Sequence, residues 1–175
     1  MAMAQQDRNY APGKITKGKN VSYKAFITKE VPDVLFVTNI HCQDTDVLNI
    51  YHKNGKKVED YEMLAANGDF SHSEIREAIH EVFTKSELQE YRKTTPGITF
   101  MVKFDEDGKA LEVYFIFDYN TKKSRYDVLL NISPDKLYEL EKRIRDIVKM
   151  KKDDELAVFK NFKLFISVSF FEEDK

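Results

Sequence analysis

The chain has 175 residues, enough to close one ordinary hydrophobic core, and its 42% hydrophobic and 33% charged residues describe a folded domain, not a disordered one. Its 28 basic residues stand against 30 acidic ones, a net charge of −2, which leaves no basic excess for a dedicated nucleic-acid binder. With 6 Gly and 4 Pro it is not low-complexity, the lone Cys42 excludes an internal disulfide, and no apolar stretch approaches the ~20 residues of a membrane-spanning helix.

In chain order, residues 1 to 20 are polar, carry Pro12, Gly13 and Gly18, and are expected to form a flexible lead-in to a single domain over 21–175. Ala2-x-Ala4 has the small-x-small pattern that precedes a signal-peptidase cut, although a charged and an apolar region before it are missing. Val21, Tyr23, Ala25 and Ile27 alternate along a first strand, Pro32-Asp33 turns the chain, and Val34–Ile40 reads as a buried second strand. Val47–Tyr51 is a third strand candidate. Asn54-Gly55 follows it as a hairpin turn, with Lys57–Met63 returning.

Ser71-His72-Ser73-Glu74 is a capping box, and Ile75, Ala78, Ile79 and Val82 then recur at helical spacing. Thr84-Lys85-Ser86-Glu87 repeats the box, which predicts a second short helix or a kink before Pro96-Gly97. Ile98, Phe100, Val102 and Phe104, the turn Asp105–Gly108, and Leu111, Val113, Phe115 and Phe117 predict a β-hairpin. Asn120–Arg125 reads as a loop and Tyr126–Ile132 as a short strand. Ser133-Pro134-Asp135 starts a helix whose apolar stripe is Leu137, Leu140, Ile144, Ile147 and Val148, with Glu139, Glu141 and Lys142 assigned to the solvated side. The last strand runs from Phe162 to Phe171, with Phe165 and Phe171 opposite its main apolar face, followed by the charged tail Glu172–Lys175.

Candidate chemistry is sparse. Glu77-x-x-His80 occurs once, whereas diiron bundles need that motif twice with two further glutamates. His41, Cys42, Asp44, Asp46 and His52 have metal-capable side chains at spacings that match no familiar zinc pattern. Asp105–Gly108 lacks the ligand alternation of a calcium loop. Neither a Gly-rich phosphate loop nor a Gly-x-Ser-x-Gly elbow occurs, so no catalytic residue, metal ligand or cofactor is assigned.

The run Gly97–Phe104 with Asp107-Gly108-Lys109 resembles the strand–turn–strand opening of TonB C-terminal-like domains. The helix carrying Leu137 and Ile144 and the closing Phe165–Phe170 strand extend the likeness over residues from about 98 to 171. The chain also looks like uncharacterised exported proteins of Gram-negative envelopes. The resemblance implies a ββαβ core and an exported, peptide- or partner-binding role.

The expected fold is α+β, a mostly antiparallel sheet packed against helices at about 72–92 and 134–149. The expected function is a non-catalytic interaction domain, periplasmic or secreted, that pairs with a peptide or protein through a sheet edge, with Phe165 and Phe171 at the contact. A rival expectation is a small enzyme or ligand-binder of the cystatin-like or nuclear-transport-factor-like cone type, with His80, Asp118 or Tyr119 inside a pocket between sheet and helix. A third is a cytosolic immunity or inhibitor protein. No membrane span is expected.

Overall fold

The period-two segments become strands, and the long ones share one sheet. The computed structural model describes residues 8–59, 68–119, 128–150, 159–160 and 162–171. Among these, β1 (Ile15–Lys17), β2 (Ser22–Phe26), β3 (Val34–Asn39), β6 (Gly97–Phe104), β7 (Ala110–Asp118) and β10 (Lys163–Ser169) form a sheet in the order β1-β2-β3-β7-β6-β10. Every neighbouring pair is antiparallel. Two short pairs flank it: β4 (Tyr51–His52) with β9 (Phe159–Lys160), and β5 (Gly68–Asp69) with β8 (Lys149–Met150). The fold is therefore α+β with a mostly antiparallel sheet. Among the described residues no helix is long and apolar enough to cross a membrane.

The sheet's two faces differ. One carries Ile98, Phe100, Val102 and Phe104 beside Val113, Phe115 and Phe117, all at most 1% exposed. Full burial of side chains this size contributes roughly 1.5–3 kcal/mol each. Three helices cover this face: α1 (His72–Val82), α2 (Lys85–Arg92) and α3 (Pro134–Ile147). Both predicted capping boxes form, Ser71 with Glu74 and Thr84 with Glu87, so the chain stops and restarts at Phe83 instead of running as one helix. Ser133 caps α3, with Pro134 in its first turn. The opposite face carries Phe36, Met101 and Tyr114, buried beneath Cys42 and Val47 of the loop that follows β3.

Four expectations change. The lead-in is part of the fold from residue 8 onward: β1 pairs with β2, and fully buried Tyr10 lies 6.2 Å from the Phe117 ring. Val47–Ile50 forms no strand. It is loop, with Val47 and Ile50 turned inward to pack, and only Tyr51–His52 joins a ladder. Val128–Asn131 is a 3-10 turn, with adjacent Leu129 and Leu130 both buried, in place of the expected strand. Glu141 is 2% exposed, not solvated, since its spacing from Leu137 and Ile144 places it on the inward stripe of α3. The Ala2-x-Ala4 pattern, the end of the Lys57–Met63 arm, the Asn120–Arg125 loop and the Glu172–Lys175 tail lie outside the described residues.

Candidate functional site

The first candidate is the outer margin of β10, which among the described residues pairs with β6 only and so ends the sheet. Phe104 N–H donates to Phe162 O (2.8 Å) and Phe170 N–H to Pro96 O (3.1 Å), bracketing the ladder. In an antiparallel pair the bonded residues alternate, so Leu164, Ile166 and Val168 turn their backbone groups toward β6. Lys163, Phe165, Ser167 and Ser169 turn theirs outward. The far end of this margin is occupied, because Arg76 Nε donates to Ser169 O at 3.2 Å. Phe165 is 44% exposed, and Ser167 bonds across the strand to Thr99 Oγ1 at 2.8 Å.

The sequence-predicted residues fall in three places. His80 and Phe171 come together at the end of β10: the rings meet edge-on at 5.9 Å, His80 Nε2 lies 2.6 Å from Phe170 O, and Arg92 sits 4.8 Å over Phe171. Phe165 lies on the sheet face away from the helices. Asp118 ends β7 opposite Val34, and Tyr119 N–H donates to Asp33 O while its ring lies under Arg8. One strand, β6, separates Asp118 from β10, and neither of the two cavities described below is lined by His80, Asp118 or Tyr119.

The second candidate was not legible from spacing. Lys163, 2% exposed, extends beneath the loop after β3, donating to Asp46 O and to Asn49 O (2.9 Å) and pairing with Asp44 at 3.0 Å. Lys103 lies 3.5 Å from the same Asp44 oxygen and 3.2 Å from Glu112, whose carboxylate also accepts from Tyr114 Oη at 2.7 Å. Beside this cluster opens a cleft of about 500 Å³, bordered by Gln43, Asp46, Asn49, Tyr51 and Lys160. Burial works against the Asp46 carboxylate, but hydrogen bonds from Tyr51 and Asn49 outweigh it and hold the group below its ordinary range. The only available hint was Lys103 and Lys163 sitting at strand positions whose neighbours are apolar. A smaller cavity of about 140 Å³ lies between the β6–β7 turn and β9, lined by Phe104, Leu111, Met150 and Phe162.

Cys42 packs with Phe36 and Met101, and burial pushes its thiol up to about 11, which leaves it an unreactive thiol near neutrality. Among the described residues no three His, Cys, Asp or Glu side chains gather as a metal site.

A buried acid joins α3 to the sheet: Tyr23 Oη donates to Glu141 Oε2 at 2.5 Å, with Arg145 at 3.9 Å. Burial raises the Glu141 carboxyl above its ordinary 4.5, more than the Tyr23 bond and Arg145 lower it. Between 4.5 and the raised value the folded state holds the extra proton, so this group's contribution is full below 4.5 and is lost as pH rises through the folded value. Glu141→Gln keeps an acceptor for Tyr23 and removes the titration. Its stability relative to the parent, measured by urea unfolding at several pH values, is expected to improve as pH rises. A variant that loses stability relative to the parent as pH rises would contradict the assignment.

No family model matches the chain, and no curated protein matches it significantly. Among solved structures it is similar to the crystal structure of a DUF5043 family protein from Bacteroides uniformis, with a TM-score of 0.74 and 13% identity, over 96% of this chain and 91% of that one. At that identity the likeness is one of fold.

Proposed function

We propose that this chain is a non-catalytic interaction module that takes up an extended peptide or protein segment along the outer margin of β10, in an exported, periplasmic setting. The observation that carries the reading is the run Leu164–Ser169 of the terminal strand β10: beyond Lys163, whose side chain turns under the loop after β3, it has no charged side chain, Phe165 is exposed, and the outward backbone groups of Phe165 and Ser167 are unpaired among the described residues. Sheet margins are ordinarily blunted by charges, proline, bulges or a covering element, because an open one templates pairing. An added strand would gain main-chain hydrogen bonds from Phe165 and Ser167 and an apolar contact from the Phe165 ring.

The test separates outward from inward positions. Ser167→Pro deletes an N–H that β6 does not use, so it is expected to leave the fold intact. Ile166→Pro deletes one that β6 does use and is expected to destabilise it. Peptides selected from a displayed library against the full chain are expected to protect the Phe165 and Ser167 amides from hydrogen exchange and to lose binding to Ser167→Pro. Selected peptides that bind Ser167→Pro as well as the parent would overturn the proposal.

A further inference from the structure

We propose that the cleft beside Lys103 and Lys163 binds a neutral polyhydroxylated ligand, a sugar or short sugar chain. Its volume of about 500 Å³ lies within the usual range of small-molecule sites. Its lining mixes aliphatic stems with the carboxylates of Asp44 and Asp46, the amides of Gln43 and Asn49 and the ammonium groups of Lys103, Lys160 and Lys163, which a wholly apolar ligand would strip of water without replacing their hydrogen bonds. Nor does the site present a net field to an ion. The three ammonium groups are offset by Asp44, Asp46 and, 3.2 Å from Lys103, Glu112.

What remains is a surface of closely mixed donors and acceptors. Each hydroxyl of a sugar both donates and accepts, so a polyol is the ligand class that can use both kinds at once. The acceptors are fixed in advance: Asp46 receives Asn49 Nδ2 and Tyr51 Oη, both at 2.6 Å, and the loop that carries it is fastened by Lys163. Fixing them beforehand lowers the ordering cost of binding. Capacity also remains unused, since the Gln43 side-chain amide and the Lys160 ammonium have no hydrogen-bond partner among the described residues. Tyr51 places an aromatic ring at the border, a surface on which a pyranose face can rest. The site uses side chains on the sheet face away from the helices, and the outward backbone of β10 takes no part in it.

The test titrates the full chain by calorimetry with a panel of neutral di- to tetrasaccharides and with their uronic-acid and sulfated counterparts, at low and high salt. At least one neutral sugar is expected to bind with an affinity that salt leaves unchanged. Gln43→Ala and Lys160→Ala, both at exposed positions, are expected to weaken that binding about tenfold each, roughly 1.4 kcal/mol, with unfolding curves like the parent's. Absence of binding across the neutral panel, a preference for the charged sugars that salt abolishes, or neutral-sugar binding indifferent to both substitutions would overturn the proposal.

Discussion

Lys163→Ala is expected to destabilise the fold by about 3–5 kcal/mol, the usual cost of removing one partner from a buried ion pair. The Lys163 side chain is 3% exposed, and its ammonium is fully engaged by the carbonyls of Asp46 and Asn49 and by Asp44. Alanine would leave two carbonyls without their donor and the Asp44 carboxylate with Lys103, at 3.5 Å, in place of its nearer ammonium partner. The loss extends beyond the pair, because the loop held by Lys163 places Val47 over Met101 and Tyr114. Lys142→Ala is the control. Its partner Glu139 lies at 2.7 Å with both side chains about half exposed, and such pairs contribute at most about 1 kcal/mol. Urea unfolding of both variants checks the contrast. A Lys163→Ala loss no greater than that of Lys142→Ala would show that the loop seats without its tether.

The second large effect is expected at Gly108, where two demands coincide. Its φ is +79°, a region that costs other residues about 1–3 kcal/mol, and a Cβ there would stand 2.4 Å from Met150 O. That carbonyl cannot simply move away, since Met150 N–H donates to Gly108 O at 2.9 Å and fastens β8 to the hairpin turn. Gly108→Ala is therefore expected to cost about 2–4 kcal/mol. Gly55→Ala is the comparison: φ is +87° but nothing lies within 4 Å, so only the backbone cost of about 1 kcal/mol applies. Thermal unfolding of the two variants should separate them by several degrees. Equal shifts would mean that the approach of Met150 carries no weight.

These two positions show what the sequence discloses and what it withholds. The β6–β7 hairpin is legible because alternation and a Gly turn are local properties, and the structure pairs Phe100 with Phe115 and Val102 with Val113. The capped helices are legible for the same reason, each box being written within four residues. The polar cleft is not, because Asp44 and Lys163 are brought together by strand order, β10 docking on β6, which no local pattern encodes. Glu141 sits between the two cases. Its spacing from Leu137 and Ile144 marked the inward stripe, but a carboxylate there is read as solvated until its partner Tyr23 on β2 is known. The margin of β10 was expected from its two-sided apolar pattern, and its terminal place in the sheet is observed, while uptake of a partner along it rests on the proposal above.

The Lys163 tether also sets an order of assembly. It joins residues 117 apart in the chain, so it can form only after most of the polypeptide exists. During synthesis, Met101 and Tyr114 leave the ribosome well before the lysine that closes their cover. Nascent chains stopping short of Lys163 therefore lack the tether that seats the loop over Met101 and Tyr114, and apolar surface left open at that stage is what a chaperone would shield.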